Sequence, residues 1–463
     1  MSGLLALLQQ SAMSLQAQQS YSSTVAHNLS NSNTPGYSRQ RAEISAAAPA
    51  ERFGNSFIGR GAMLMAVSQA RDRFLEAQMP GSISQEMASG TEAQTLESVS
   101  TLDLDNSIAP ALSNFYSGLR ALAQNPGSSN YREAAVGAAT QLALSFNRSS
   151  QAIEASRSGV DAKMEARLPE INESLAQIAR LNVQVRQARN GGAEPNDLLD
   201  TRQRLTDRMS ELLGAVPVAN KEGDMNLTLS DGTSLVASEK AAVLSVLPDA
   251  TNSGHAQIYI QKPDGSPRQP YSGTPGGEFG GMLAARDGAM KHASEQIDQL
   301  AFDLAGSINT IAQTGVALDG STGRDLFTGI TTVSGAARSM TMNAAIASNT
   351  SLFPAGSTSA PGNSNAVQGM IDTEAVALSG GTNAAGALAR ITADFGASAQ
   401  RASTMHEGDA AMLTQLDSMR QSASGVSVDE ELVNMQQAQR AYEAVSRVIK
   451  TADSMLETLL SLK

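Results

Sequence analysis

Residues 428–463 read VDEELVNMQQAQRAYEAVSRVIKTADSMLETLLSLK. Met435, Ala438, Tyr442, Val445, Ile449, Ala452, Leu456 and Leu459 recur there at alternating spacings of three and four. On a helix that rhythm lays one apolar stripe along the axis, as in a coiled-coil seam. An amphipathic helix on a globular core would carry a similar stripe. The seam reading is favoured by a second stripe far away in the sequence. Leu5, Leu8, Ala12, Leu15, Ala26 and Leu29 share a heptad register in a helix predicted over Ser2–Asn31, with Gln19 and Ser22 as interruptions. Each face needs a partner, and each offers one to the other. Asn31-Ser32-Asn33-Thr34-Pro35-Gly36 then stops the first helix. Several seam positions are small, so burial offsets little of the entropy lost in ordering such long helices. Both terminal helices are therefore expected to be mobile in the monomer and to order against neighbouring copies.

Inward from these two segments the pattern stays mostly helical. Helices are predicted over Ile108–Asn125, over Tyr131–Asn190 with a bend near Pro169, and from Asn196, as N-cap, to Gly214. Another runs from Gly281 to Gln313 with Ile297, Leu300, Leu304, Ile308 and Ile311 on one face, followed by Ala366–Leu378 and Gly386–Ser424. Residues 215–280 change period. Met225, Leu227 and Leu229 alternate with polar residues ahead of a hairpin signal at Asp231-Gly232. Strands follow at Val243–Leu247 and Gln257–Ile260. Residues 315–365 are rich in Gly, Ser, Thr and Asn, which fits a hairpin or a surface excursion. The predicted fold is mainly α with a β insertion: paired terminal helices, a central bundle built from both chain halves, and a small inserted β domain. Its segments are 1–45 and 425–463 for the terminal pair, 46–214 and 281–424 for the bundle, and 215–280 for the insertion.

Composition narrows the function classes. Aromatic residues make up 4% of the 463, and tryptophan is absent, which disfavours an aromatic-lined small-molecule pocket. No cysteine is present, so thiol nucleophiles, cysteinyl metal sites and disulfides are excluded together. His27, His255, His292 and His406 stand apart, none at the spacing of a helical zinc site. A net charge of −12 argues against nucleic acid as a partner. The opening MSGLLALL lacks the charged leader and cleavage site of a secretory signal, and no stretch reaches the length of a membrane span. Gly276-Gly277-Glu278-Phe279-Gly280-Gly281 lacks the spacing and lysine of a phosphate loop and reads as a flexible junction. Asp319, Ser321, Gly323 and Asp325 have a calcium-loop rhythm but too few carboxylates, and read as a turn. The mixed charges from Asp197 to Glu211 read as a solvated helix face with pairs such as Asp200–Arg204, or else as a lateral contact between subunits. No catalytic residue, metal site or cofactor is expected.

Several stretches resemble one known family. AHNLSNSNTPGYSRQ, from Ala26 to Gln40, is similar to the N-terminal signature of bacterial flagellar rod, hook and hook-associated proteins. Its signature turn comprises Asn28, Asn31, Asn33, Thr34, Pro35, Gly36 and Tyr37. SGVSVDEEL from Ser424, the QRAY ending at Tyr442 and the TAD ending at Asp453 resemble the family's C-terminal segment. RDRFL (71–75), NFY (114–116) leading to Asn125-Pro126, and PNDLLDTR (195–202) resemble the hook-associated branch. The matches keep family order along the chain. Two departures stand out: the chain is short for that branch, implying a reduced outer domain, and Ser30 and Ser32 replace smaller Ala-type residues.

The resemblance implies a non-enzymatic structural subunit at the junction of hook and filament. It would be exported by the flagellar type III apparatus and lie outside the cell. Its partners would be further copies of itself, the hook protein, a second junction protein and an export chaperone, with no membrane insertion. The terminal seam would build an inner tube, the turn Asn31–Gly36 would link it rigidly to the bundle, and Tyr37 would pack there. A rod or hook subunit, or an exported effector or enzyme with coiled-coil ends, are the alternatives.

Overall fold

The computed structural model describes residues 2–34, 36–47, 51–53, 56–58, 61–100 and 104–461. Helix α1 (Ser2–Ser30) leads into a hairpin arm in which β1 (Gln40–Ala46) pairs antiparallel with β4 (Ala62–Gln69), with β2 (Glu51–Phe53) and β3 (Ser56–Ile58) paired at its far end. Four long helices follow: α2 (Arg73–Ser100), α3 (Leu104–Gln124), α4 (Ser129–Asn190) and α5 (Asn196–Leu213). At the other end of the sequence α11 (Ala384–Ser424) and α12 (Val428–Ser461) return to the start. Asn28 near the end of α1 bonds Glu431 near the start of α12, so the terminal helices pair antiparallel.

The hairpin arm lies along α1 as well, and this rotates the face that α1 buries. The backbone at Gly61 comes so close that a Cβ there would meet Ser14 Oγ at 2.7 Å, and Ser14 Oγ accepts the Ala62 N–H at 3.2 Å. Small and polar residues permit that approach. Accordingly α1 buries Ser11, Ala17, Thr24, Val25 and Asn28, while Leu8, Leu15 and Leu29 are half-buried and Leu5, Ala12 and Ala26 are exposed. The heptad register read from the sequence assumed a single partner, whereas α1 has two. On α12 the expected stripe does turn inward: Ala438 and Ala452 are buried, and Met435, Val445, Ile449 and Leu456 half-buried. Tyr442 stands at its exposed edge, and the side chain of Leu459 lies outside the described part.

Helices α2 and α11 pack antiparallel and join the terminal pair to the bundle. Leu75, Met79, Ile83 and Leu416 form a small apolar cluster at the near end. Further along, Ser89 donates to Asp409 (2.8 Å), and Glu86 faces His406 at 3.7 Å. The helix α2 escapes a purely periodic reading because Pro80, Gly81 and Gly90 interrupt a polar sequence. At Gly90 a Cβ would meet the His406 ring at 2.9 Å, so a larger residue there would require that ring to shift.

The main core binds both chain halves. Phe115, Leu119 and Leu122 of α3, and Leu142 and Phe146 of α4, join Leu300, Leu304 and Ile308 of α7 (Lys291–Thr314). The helix α4 runs on past Pro169 without interruption. Residues 315–365 are no surface excursion. They carry the pair β12 (Phe327–Thr328) and β13 (Thr341–Met342), and the short helices α8 (Ala336–Ser339) and α9 (Ala344–Ser348). Phe327, Ile346 and Phe353 are fully buried, and the Phe327 ring sits 5.7 Å from that of Phe115. The helix α10 (Asn365–Asp372) closes this side.

The β insertion holds β5 (Val216–Ala219), β6 (Met225–Thr228), β7 (Ser234–Ala237) and β8 (Lys240–Ala241) in one antiparallel sheet. A second sheet has β9 (Val243–Pro248), β10 (Ala256–Gln261) and β11 (Gln269–Pro270). Leu227, Leu235, Val236, Leu244, Ile258 and Ile260 continue the helical core without a gap. A buried polar cluster pins the insertion to α4: Arg286 donates to Asp161, to Asp287 (2.6 Å) and to the Ala256 carbonyl (2.8 Å), and His255 bonds Asp161 at 2.8 Å. Arg286 sits on a π-helical stretch, Ala284–Met290, between α6 (Gly277–Leu283) and α7. The glycine run before it is a tight contact rather than a flexible junction. A Cβ on Gly281 would meet the Ala88 carbonyl oxygen at 2.2 Å, so only glycine lets α6 press on the backbone of α2. Asp319 caps Ser321 in a simple turn.

Candidate functional site

Four sequence motifs distant in the chain converge where α1 ends. The side chain of Asn28, fully buried, is their centre. Its Oδ1 accepts the Gln40 N–H (2.9 Å) and the Tyr37 hydroxyl (2.8 Å). Its Nδ2 donates to the Gln40 carbonyl (2.9 Å) and to Glu431 Oε2 (3.2 Å). One amide thus ties the last turn of α1 to β1 and to α12. Arg39 doubles the link to α12: its guanidinium bonds Glu431 at 2.6 Å and Glu430 at 3.1 Å. The Arg39 N–H donates to the Ser424 carbonyl (3.0 Å), joining the end of α11 to the same point.

Helix α5 completes the hub from the bundle side. Asp200, buried, accepts from Arg71 (2.9 Å), Gln69 (2.8 Å) and the Ser38 N–H (3.4 Å). Burial outweighs these donors and pushes its carboxyl above the usual range. Asp197 takes the Gln40 amide at 3.2 Å and faces His27 at 3.9 Å. Asn196 is the first helical residue of α5, with Pro195 at the N-cap position. Its side chain reaches out to the Val67 carbonyl (2.8 Å) instead of capping the helix. Asp207 accepts from Gln203 (2.8 Å) and faces Arg420 of α11 at 3.8 Å; burial pushes its carboxyl up to about 6. Gly36, with φ +73°, sits so close to α5 that a Cβ would meet Arg204 Cγ at 2.6 Å.

The expected solvated face of α5 is therefore a set of tertiary contacts. The predicted Asp200–Arg204 pair is replaced by Asp200–Arg71. Arg202 is buried against Asn182 (2.9 Å), and Arg208 bonds Glu170 (2.6 Å).

Of the signature-turn residues, Asn28 and Tyr37 act in the hub directly. Tyr37 is half-buried beside His27, and burial together with Asp200, Asp197 and Glu431 drives its phenol up. Asn31 and Thr34 shape the turn itself, through Asn31 Nδ2 to the His27 carbonyl (3.0 Å) and Thr34 Oγ1 to Asn31 Oδ1 (3.2 Å). Asn33 is exposed, and Pro35 lies outside the described residues. Sequence reading missed Gln40, Gln69, Arg71, Glu431 and Asp207 as members of one site. The motifs that contain Gln40, Arg71 and Glu431 were visible; their meeting was not, and Gln69 lay outside every motif.

Beside the hub opens a polar cleft of about 870 Å³ between the turn, α5 and α11, with Arg41, Glu76, Asp207, Asp417 and Arg420 among its walls. Among the described residues no three His, Asp or Glu side chains are grouped to hold a metal ion, and no helix is long and apolar enough to cross a membrane. The arrangement is suited to transmitting geometry: it fixes the pose of the two terminal helices on the helical bundle.

Comparison with known proteins agrees with the convergence of motifs. Residues 93–327, about half of the chain, match the family described as the flagellar hook-associated protein FlgK helical domain, and residues 418–462 match the flagellar basal body rod FlgEFG protein C-terminal family. The chain is 24% identical over 552 aligned residues to flagellar hook-associated protein 1 of Salmonella typhimurium, covering 99% of this chain and 100% of that protein. It is 26% identical to the protein of the same name from Bacillus subtilis, over 98% and 97% of the two chains. A stretch of 36 residues is 67% identical to flagellar basal-body rod protein FlgG of Buchnera aphidicola. Among solved structures, the flagellar hook junction protein FlgK from Burkholderia pseudomallei matches with a TM-score of 0.51 and 26% identity, over 55% of this chain and about half (47%) of that one.

Proposed function

Because the chain belongs to the FlgK family of flagellar hook-associated proteins, we propose that it is a structural subunit of the junction between hook and filament. In this reading it leaves the cell through the flagellar type III apparatus with an export chaperone. It then polymerises on the hook through α1 and α12, beneath a second junction protein. The observation that carries polymerisation is the apolar surface left over once the two helices have paired. Leu5 is 56% exposed and Leu460 65%, and Met13, Val448 and Met455 stand open to solvent as well. Soluble chains rarely leave large apolar side chains in such number along one helix pair, so the pair reads as part of a larger helical layer. Leu5 and Ala12, both exposed, belong to the interface between copies in this proposal, as do the half-buried Leu8, Leu15, Leu29 and the α12 stripe. The hub around Asn28 sets the angle at which that layer meets the bundle. No catalytic step enters the proposal.

Electron microscopy of flagella from the source bacterium lacking this gene, with a blot for flagellin in the medium, tests it. Bare hooks with shed flagellin are expected. Full filaments would overturn the junction role, and loss of the hook itself would move the subunit to the rod or hook.

A further inference from the structure

The antiparallel pair of α2 and α11 has one side covered and one side open. On the covered side Arg420 of α11 stands 3.8 Å from Asp207 of α5, and Gly281 of α6 lies against the Ala88 carbonyl of α2. The open side is marked by the bond from Ser89 of α2 to Asp409 of α11 at 2.8 Å. Residues three or four apart share a helix face, as do residues seven apart. Gln85, Gln78 and Phe74 therefore line up behind Ser89 on α2. On α11, Met405 and Met412 lie four before and three after Asp409, and Met419 seven further on. The two rows flank the same groove. Phe74 is 71% exposed, and Met405, Met412 and Met419 are 62%, 57% and 46% exposed. Charge is missing around them. Every exposed residue of α11 from Gly408 to Ala423 is uncharged, and so is every exposed residue of α2 from Phe74 to Gln94. The half-buried carboxylates Asp417 and Glu76 are paired, with Arg420 at 2.9 Å and Arg71 at 3.1 Å. A helix face kept for water ordinarily carries charge.

We infer that this open side is a lateral docking surface for a second copy of the chain, an inference that rests on the reading that the chain polymerises through α1 and α12. Size argues against a free partner. At 1.5 Å per residue and two helices across, the surface is on the order of 500 Å², short of the ~800 Å² per partner of a standard stable interface. A face of that size does not capture a molecule from solution. It does hold one that other contacts already keep beside it, because the second contact then forms at high effective concentration. A neighbour joined through the terminal helices is such a molecule. Charge points to the same occupant. Two copies that each carry −12 repel where charged faces meet, and this face has no exposed charge. Methionine suits the contact, since its unbranched thioether repacks to fit a facing helix.

Footprinting with dilute hydrogen peroxide, which turns exposed methionine into its sulfoxide, tests it on the isolated full-length chain and on intact flagella. In the isolated chain Met405, Met412 and Met419 are expected to oxidise readily, with buried Met290 as the protected reference. In flagella the three are expected to oxidise more slowly by about fivefold or more. Met455 on α12 separates the two readings. Met455 protected while the three stay open overturns the lateral surface and leaves polymerisation through the terminal helices standing. Met455 and the three all as open as in the isolated chain overturns both. The occupant is identified with Met412→p-benzoylphenylalanine, irradiated in flagella of a complemented deletion strain. A product of two copies of this chain is expected, and a product holding any other protein overturns the assignment to a second copy. Should that variant not enter flagella, Gln415→p-benzoylphenylalanine, at an exposed position of the same helix, gives the same reading.

Discussion

At the scale of single residues, Asn28 shows how much depends on one amide. Its four hydrogen bonds are buried, so its loss leaves the Gln40 N–H and C=O without partners away from water. Each buried group left unpaired costs about 1–3 kcal/mol. Asn28→Ala is therefore expected to lower the stability of the terminal pair by roughly 2–4 kcal/mol. Asn28→Asp keeps the shape but should do worse, since it removes the Nδ2 donor and sets a carboxylate beside Glu431 (3.2 Å). Limited proteolysis of the α1 and α12 segments reads both variants, and an aspartate variant more resistant than the alanine one would contradict this account. The sequence singled out Asn28 and Tyr37 as members of a turn. It could not show what they touch, because Glu431 lies 403 residues away. The charge pattern of α5 misled for the same reason: i, i+4 spacing is visible in one segment, whereas Arg71 and Ser38, which Asp200 bonds, come from others.

At the scale of elements, helix periods were legible where one apolar stripe turns inward along the whole helix, as in α7 and α12. They failed where a helix has two partners or none of the usual signals. The register of α1 was displaced by the hairpin arm, and α2 was hidden by Pro80, Gly81 and Gly90. The joint between α5 and α11 adds a pH dependence of its own. Asp207 has its carboxyl pushed up to about 6 by burial, from an ordinary value of 3.8. The folded chain thus takes up a proton that the unfolded chain releases, and stability falls as pH rises through that interval. Once both states are ionised, near neutral pH, the loss amounts to about 2–3 kcal/mol. Asp207→Asn removes the charge along with the 3.8 Å contact to Arg420. Urea unfolding at about pH 4 and about pH 7 should therefore find the variant gaining stability over wild type mainly at the higher pH. An equal difference at both pH values would rule out a role for this carboxylate in the pH response.

At the scale of the whole molecule, the core and the surface proposed for assembly are separate. The continuous apolar core runs through α3, α4, α7, the loop region and both sheets, and among the described residues none of its members comes from α1 or α12. Damage to the terminal helices should then leave the bundle intact, and this separates assembly from folding in a single experiment. Val448 and Met455 are exposed on α12 in the single chain, 43% and 52% respectively, away from the stripe that meets α1. Substituting both with aspartate removes no buried contact, and exposed changes of that kind usually move stability by about half a kcal/mol or less. If α12 closes a helical layer between copies, the same two charges would be forced into an apolar seam, where each costs several kcal/mol unless paired. The double variant Val448→Asp, Met455→Asp is thus expected to unfold like wild type in solution and to be missing from flagella in a complemented deletion strain. Leu456→Asp, which strikes the half-buried stripe, should lose incorporation and also expose α12 to protease. Normal incorporation of the double variant would place the outer face of α12 outside the interface and confine assembly to the stripe shared with α1.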